Sequence, residues 1–501
     1  MNRPNILLIT SDQHTARVAG CYGDAVVDTP NLDALAAQGA RFESFYCNNP
    51  ICCPSRMSFL TGRYSFRCEV IDNNSILDSR LPTLAHMAVR GGYHAALAGK
   101  MHFYGPDQRH GFLERLVGEV GTQALFCGAD KPEAGLANLG NCSRPEPLQF
   151  TGPGQNKLVA YDRDITDQTV AWLKQWSTQD QAPPFFFTVG YLLPHCPFIA
   201  PDDLYAKYEG RVQAPRYTQE QLAALHPNHR DFRRFIELDA IPKENEDRAV
   251  TAYYALCDQL DQNIGAVIGA LKDNGLWDNT IVIYYSDHGE MLGRHGRWHK
   301  ESFFEDSARV PLIVRDPRHP EPAIIHTPHS LVDLMPTLCE WMSVEPPPGI
   351  DGESLVPFLE RRATEPKPVK VDCYTFWSQE QHGLSSNRMV RQGPWKLCYY
   401  GAYDSFELYN LDEDPEEMIN RADDPACREI VDTLKPELFT DGWTRDTGEE
   451  VRENLEACGI RTNIKNYRDA LKESLNAYPR PVDCPDYWPG SHTEPDTLSH
   501  A

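Results

Sequence analysis

The chain has 501 residues, more than one ordinary hydrophobic core organises, so a single small module is excluded and a large domain with a smaller attachment is predicted. Hydrophobic residues at 41% and aromatic residues at 10% exclude disorder over most of the chain. The 48 basic and 72 acidic residues give a net charge of −24, which repels nucleic acid and anionic membrane surfaces, so neither is an expected partner.

The compartment is predicted from the N-terminus and the cysteines. The apolar run at residues 6–9 is too short for a signal peptide, and no run approaches the roughly 18 apolar residues of a membrane span. Fifteen cysteines, an odd number, are scattered from Cys21 to Cys484 without a dense disulfide framework. We therefore predict a cytoplasmic protein whose cysteines are mostly reduced and buried.

Short apolar runs alternate with helical patterns along the first two thirds of the chain, which predicts an α/β fold with a mixed sheet covered on both faces. Strands are predicted at residues 5–11, 94–98, 184–191 and 280–285, and helices at 31–38, 81–90, 164–176 and 248–274. In such sheets ligands bind beyond the carboxyl ends of the strands. Four polar residues follow these ends, namely Asp12, Lys100, His195 and Asp287.

A second region is predicted after the proline-rich stretch 345–349. Short strands at 371–377, 388–390 and 395–399 precede a helix at 429–438, and the chain is polar from about residue 441 onward. We predict a catalytic domain at 1–365, an α+β subdomain with a small antiparallel sheet at 366–440, and a surface tail at 441–501. Such a tail can contact a neighbouring subunit, so a homo-oligomer is expected.

The most specific motif begins at Cys52-Cys53-Pro54-Ser55-Arg56. Pro54 suits the first turn of a helix, which places Cys52 at a helix N-terminus, where exposed amides and the helix dipole favour an anion. One turn later, Arg56 adds a planar cation suited to oxyanions. Two buried cysteines before an ordinary helix are the plainer interpretation of this segment taken alone.

Cys-x-Pro-Ser-Arg followed by Leu60-Thr61-Gly62 resembles the signature of the sulfatase family. The resemblance implies an alkaline-phosphatase-like α/β/α sandwich with a large, mostly parallel sheet. It also implies that a formylglycine-generating enzyme oxidises Cys52 to formylglycine, with Cys53 in the variable position. One hydroxyl of the hydrated aldehyde would attack sulfur, and deprotonation of the other would expel sulfate.

The resemblance also implies a divalent metal ion. An apolar strand at 280–285 ends in Asp287 and His288, facing the region expected for Asp12. Carried over residue by residue, the ligands are Asp12, Gln13, Asp287, His288 and modified Cys52. Gln13 stands where many sulfatases have Asp, and His288 stands where many have Asn. The same two substitutions occur in the choline-sulfatase-like and phosphonate monoester hydrolase branches, which this chain resembles more closely. Oxygen ligands favour Ca²⁺, whereas the nitrogen ligand keeps Mn²⁺ open.

Five further site residues are taken from matching segments. The resemblance assigns Lys100 to the formylglycine and sulfate oxygens, and His102 to the base that triggers sulfate release. His195, between two prolines, would donate a hydrogen bond or a proton to the leaving oxygen. Lys300 falls at a sulfate-binding position, and Asn73 matches an asparagine near the sulfate, although Asp-Asn-Asn is also an ordinary turn signal.

These motifs predict a sulfuric ester hydrolase for a small-molecule or saccharide sulfate. At physiological salt the field of the net negative charge is screened within roughly 8 Å, so a local cationic pocket can bind an anion although the protein as a whole is acidic. Choline sulfate is not favoured, because a quaternary ammonium calls for an aromatic cage and residues 113–171 contain no tryptophan. The alternatives are a phosphonate or phosphate monoester or diester hydrolase using the same site, and a noncatalytic anion-binding relative.

Overall fold

The computed structural model describes residues 3–105, 107–118, 142, 144–362, 365–376 and 384–457. Its strands are β1 Asn5–Asp12, β2 Ala40–Phe42, β3 Phe45–Tyr46, β4 His94–Gly99, β5 Glu114–Val117, β6 Gly152–Pro153, β7 Phe185–Pro194, β8 Ile199–Ala200, β9 Thr280–Ser286, β10 Leu312–Arg315, β11 Ala323–Ile325, β12 His329–Ser330, β13 Val369–Thr375, β14 Ser385–Gln392, β15 Trp395–Tyr400 and β16 Ser405–Asn410.

The α-helices of the described residues are α1 Pro30–Ala36, α2 Cys52–Thr61, α3 Leu84–Arg90, α4 Glu146–Gln149, α5 Lys157–Trp176, α6 Asp202–Tyr208, α7 Gln219–Ala223, α8 Pro227–Phe235, α9 Lys243–Asp273, α10 Glu305–Ala308, α11 Leu334–Met342, α12 Val356–Leu359, α13 Arg428–Leu434 and α14 Thr447–Ala457. Within these residues, no helix is both long and apolar enough to cross a bilayer.

The main sheet has eight strands in the order β11-β2-β10-β9-β1-β7-β4-β5. The four central strands β9, β1, β7 and β4 run parallel, and β10 pairs with β9 in the antiparallel sense. The predicted mixed, mostly parallel sheet is therefore confirmed. The short strands at one edge, β2, β10 and β11, were not predicted, because three or four apolar residues carry too little periodicity to identify a strand.

Helices cover both faces of this sheet, as the α/β pattern predicts. Along β1, Leu7 and Ile9 pack into one apolar cluster with α5 and α9, while Ile6 and Leu8 pack into another with α2, α3 and α11. Successive side chains of a strand point to opposite faces, so a strand buried on both faces consists of continuous apolar residues.

The C-terminal region has its own antiparallel sheet, in the order β13-β14-β15-β16. Neighbouring residues alternate between its faces: Met389 packs toward Tyr46 and Phe303 of the main domain, whereas Val390 packs with Leu434 on the other face. This confirms the predicted small antiparallel sheet. The last strand, β16, was not predicted, since the sequence Ser-Phe-Glu-Leu-Tyr-Asn lies within a turn-rich acidic stretch.

Buried charges hold the C-terminal sheet in place. Arg388 on β14 donates hydrogen bonds to Asp372 at 2.7 Å and to Asp441 at 2.6 Å, and the Arg388 side chain is fully buried. Part of the predicted tail forms α14, where Val451 and Leu455 are buried beside Tyr374. The rest of the tail, residues 458–501, and Trp377 of the strand predicted at 371–377 lie outside the described residues.

Candidate active site

Strand order brings the four predicted polar loops together. β9, β1, β7 and β4 are neighbours in the sheet, and in the β1–β9 register Ser11 lies opposite Ser286, so Asp12 and Asp287 leave adjacent strands at the same level. Lys100 follows β4, whose Gly99 pairs with Gly190 of β7. A Cβ on Gly190 would overlap the Lys100 carbonyl oxygen, so this close approach requires glycine.

A buried cluster of possible metal ligands lies at this edge. Ligand atoms of Asp12, Cys52, Asp287 and His288 all lie within 4.8 Å of one another. His288 Nε2 is 3.7 Å from Asp12 Oδ1 and 3.6 Å from Asp287 Oδ1, and Asp12, Asp287 and His288 have no exposed surface. His288 Nδ1 lies 3.0 Å from the Gly289 carbonyl oxygen, so Nδ1 carries the hydrogen and Nε2 presents its lone pair to the cluster. Two carboxylates and one imidazole fit a divalent cation.

Cys52 is the first residue of α2, one position inside the helix and not just ahead of it as the sequence predicts. Its sulfur is 3.1 Å from Lys300 Nζ, 3.2 Å from His288 Nε2 and 3.7 Å from Asp12 Oδ1. Burial alone would raise the pKa of the Cys52 thiol, but the neighbouring positive charges, Lys300 foremost, lower it well below its usual value. The site is therefore built to hold negative charge at position 52.

Two lysines supply most of that positive charge. Lys300 Nζ donates to Gln13 Oε1 at 2.8 Å and lies 3.0 Å from His195 Nε2. Burial lowers the pKa of Lys300, but the surrounding thiolate and carboxylate charges raise it well above its usual value. The Lys100 ammonium forms an ion pair with Asp12. Asp12 stays ionised, because burial and Cys52 raise its pKa less than the nearby cations lower it.

Arg56 faces the carboxylates. Its Nε donates to Asp287 Oδ2 at 2.8 Å, its Nη1 to the Lys100 carbonyl at 2.9 Å and its Nη2 to Asp12 Oδ2 at 3.4 Å. With 1% of its surface exposed, the guanidinium is committed to these partners. The sequence predicts a cation for substrate oxyanions at this position, whereas the structure gives Arg56 contacts that position the ligand carboxylates.

The two predicted proton-transfer histidines flank the cluster. The Nδ1 of His195 lies 2.6 Å from the Cys196 carbonyl oxygen, so Nε2 is the nitrogen that faces Lys300 and, at 4.0 Å, Asp12. On the other side, His102 is among the groups whose interaction lowers the pKa of the Cys52 thiol, and its ring packs against Tyr104 with centroids 5.2 Å apart.

Asn73 contacts α2. Its Oδ1 accepts a hydrogen bond of 2.9 Å from the Cys53 N–H, one of the helix amides without a partner inside the helix. This contact caps the helix that carries Cys52. A role of Asn73 at the sulfate stays a prediction.

Glu290 is a functional residue that the sequence prediction missed. Its carboxylate accepts hydrogen bonds from the Gln13 side-chain amide, from the His299 N–H at 2.6 Å and from the Leu292 N–H at 3.0 Å. Glu290 therefore orients Gln13, whose amide oxygen bonds Lys300 instead of the metal-ligand cluster. The available signal was its position directly after Asp287-His288-Gly289.

Asp162 is a second missed residue, on α5. Its buried carboxylate accepts N–H bonds of 2.9 Å from both Leu192 and Leu193, at the end of β7 just before His195. Burial raises the pKa of Asp162 to about 7, although these hydrogen bonds oppose the shift. Nothing in the helical pattern of α5 distinguishes this aspartate from its exposed neighbours.

Comparisons with known proteins agree with this geometry. The profile of the sulfatase family matches residues 4–344, and that of "N-sulphoglucosamine sulphohydrolase, C-terminal" matches residues 293–441. A choline-sulfatase of Rhizobium meliloti (strain 1021) is 33% identical over 88% of this chain and 86% of its own length. Arylsulfatase K of Xenopus laevis is 29% identical, covering 86% of this chain and 83% of its own. The crystal structure of a phosphonate monoester hydrolase of Agrobacterium radiobacter superposes with a TM-score of 0.72 at 28% identity, covering 87% of this chain and 95% of that one.

Proposed function

The chain belongs to the sulfatase family and is a sulfuric ester hydrolase, and we propose that it acts through formylglycine made from Cys52 beside a divalent cation held by Asp12, Asp287 and His288. The observation that carries the proposal is the position of Cys52 Sγ, in contact with His288, Asp12 and Lys300 in one buried cluster. Retention of this complete reactive set disfavours a noncatalytic anion-binding role.

When present, the aldehyde hydrate supplies two hydroxyls on one carbon, and the cation neutralises negative charge on the reacting oxygens. Ca²⁺ is favoured by the carboxylate ligands and Mn²⁺ is the alternative. Gln13, also predicted as a ligand, would have to turn its oxygen away from Lys300 to reach the cation. Metal analysis of the isolated protein, followed by reconstitution with each ion, tests the assignment.

The chain's own residues account for binding and proton transfer. Lys300 and Lys100 bind sulfate oxygens and stabilise the charge that develops on them. His195 directs Nε2 into the site and donates a hydrogen bond or a proton to the leaving oxygen. His102, whose interaction with Cys52 lowers the pKa of that thiol, removes the proton whose loss releases sulfate. Arg56 and Glu290 hold the carboxylates and Gln13 in position.

The central experiment combines peptide mass spectrometry at residue 52 with kinetics on a panel of sulfate esters. We expect conversion of Cys52 to formylglycine by the formylglycine-generating enzyme, and hydrolysis that scales with the converted fraction. Equal hydrolysis by unconverted protein would contradict the mechanism. The panel includes alkyl, aryl and sugar sulfates and, because of the Rhizobium meliloti relative, choline sulfate.

Phosphonate monoester hydrolysis is the second candidate, supported by the similarity to the Agrobacterium radiobacter enzyme. Parallel kcat/KM values on matched aryl sulfate, phosphate and phosphonate esters separate the two activities. A preference for phosphonate esters or phosphodiesters over the matched sulfate would reverse the assignment of the physiological reaction.

We also propose that the protein is cytoplasmic and forms a homo-oligomer. Every cysteine within the described part of the chain is a free thiol, which favours a reducing compartment. Residues beyond 457 provide a segment long enough to contact a neighbouring subunit. Cell fractionation and light scattering on the purified protein test these two proposals.

A further inference from the structure

A second cluster of metal-ligand types lies beside the sulfate site. Cys142, Cys196 and His299 each direct a ligand atom into a space where these atoms lie within 4.8 Å of one another. The two sulfurs are 3.4 Å apart, and Cys196 and His299 are buried. Sulfate ester hydrolysis uses none of these three side chains.

The state of His299 favours a bound cation over simple packing. Within the described residues, neither ring nitrogen of His299 makes a hydrogen bond of ordinary geometry, although the side chain is 1% exposed. Burial lowers the pKa of His299, but Cys142 and Glu290 raise it to about 10, so a cation would displace a proton from this ring. Its Nδ1 lies 3.7 Å from Glu290 Oε2. A carboxylate behind one ring nitrogen is the usual way in which a metal-binding imidazole is oriented, and it leaves Nε2 for the metal.

The two cysteines of this cluster differ in their electrostatic surroundings. Burial raises the pKa of Cys142, but the contact with Cys196 and the charges of Lys300 and His299 lower it well below its usual value. Burial and the negative charge on Cys142 in turn raise the pKa of Cys196 well above its usual value. A cation that enters between the two sulfurs, which lie 3.4 Å apart, would displace the protons that they carry.

We propose that Cys142, Cys196 and His299 bind a zinc-class divalent cation, and that this binding inhibits the hydrolase. Two sulfurs and an imidazole suit Zn²⁺, whose tetrahedral sites need a fourth ligand. His195 is the nearest candidate: its Nε2 is 3.8 Å from Cys142 Sγ and its Nδ1 is 3.6 Å from Cys196 Sγ. Recruitment of Nε2 to the ion withdraws His195 from the leaving oxygen. The inhibition rests on the proposed function, whereas the binding does not.

Binding is tested on the full chain with residue 52 converted to formylglycine and the catalytic cation present. Zn²⁺ is counted after equilibrium dialysis, and Co²⁺ serves as a spectroscopic probe, since a thiolate-to-cobalt charge-transfer band requires sulfur ligands. Once residue 52 is an aldehyde, the catalytic cluster has no sulfur. We expect one additional Zn²⁺ per chain and the cobalt band in the wild type. The control Cys427→Ser, at a distant buried cysteine, should keep both signals, and Cys142→Ser should lose both.

Inhibition is measured on the same samples. Zn²⁺ should lower hydrolysis by about a hundredfold, the usual contribution of a general acid, while Cys142→Ser retains its own basal rate in Zn²⁺. His299→Gln serves as a second variant should Cys142→Ser unfold. Zn²⁺ uptake without a cobalt band would overturn the site. It would also be overturned if the isolated protein held a Cys142–Cys196 disulfide and took up no metal after that disulfide was reduced. Equal inhibition of Cys142→Ser would overturn the inhibitory role, and absence of hydrolysis in every sample would refute the proposed function alone.

Discussion

Replacing Lys300 with methionine removes the ammonium from the centre of the site while keeping a side chain of similar length. The ammonium lies 3.1 Å from Cys52 Sγ, 3.0 Å from His195 Nε2 and 2.8 Å from Gln13 Oε1. Loss of one preorganised oxyanion donor costs roughly 3 kcal/mol of transition-state stabilisation, about a hundredfold in kcat/KM. The unfolding free energy should fall by about 1–3 kcal/mol, because the buried Gln13 oxygen loses its donor.

The assay is kcat/KM on an aryl sulfate, with the formylglycine fraction and metal content of wild type and variant measured and matched. Lys174→Met, at an exposed lysine near the end of α5, is the control and should match the wild type. The reasoning fails if Lys300→Met retains kcat/KM within about threefold of the wild type, since one oxyanion donor is worth far more than that.

Cys52→Ala should retain the fold, seen by circular dichroism, and lose hydrolysis; full activity in this variant would exclude the mechanism. Asp287→Asn should lose the catalytic cation by metal analysis and lose turnover, and an unchanged metal content would remove Asp287 from the ligand set. Arg388→Met should lower the free energy of urea unfolding by about 3–5 kcal/mol, because it leaves the buried Asp372 carboxylate uncompensated, whereas the exposed Arg80→Met should cost under about 1 kcal/mol. The raised pKa of Asp162, about 7 in the folded state, means that the folded state holds a proton that the unfolded state has lost above about pH 4. Between pH 4 and 7, the free energy of unfolding of the wild type should therefore fall with rising pH more steeply than that of Asp162→Asn, by about 1.4 kcal/mol per pH unit. Parallel pH profiles of the two unfolding free energies would contradict this assignment.

His195 links the proposed Zn²⁺ site to the sulfatase site, because it is the candidate fourth ligand of the ion and the donor to the leaving oxygen. Glu290 serves both, because its carboxylate orients Gln13 at the sulfate site and stands behind His299 at the second cluster. A perturbation of Glu290 should therefore change both hydrolysis and cobalt binding, unlike Cys142→Ser, which should change only the latter.

The sequence determined the local chemistry. Continuous apolar runs predicted β1 and β9, and the polar residues that follow them identified Asp12 and Asp287 as groups at a sheet edge. Pro54 predicted the helix start that places Cys52. These features depend on neighbours within a few residues, so the pattern along the chain is sufficient to predict them.

Only the tertiary structure decided which of these groups meet and which way each one faces. The strand order β9-β1-β7-β4 joins loops whose residues lie as far apart along the chain as Ser11 and Ser286, 275 positions, and sequence periodicity contains no information on that order. Long-range packing decides three such contacts: the hydrogen bond of Arg56 to Asp287, the hydrogen bonds of Asp162 to the end of β7, and the proximity of Cys142, Cys196 and His299. Hydrogen bonds and ion pairs act over a few ångströms in space, whatever the distance along the chain, so these partnerships are fixed only when the sheet has formed.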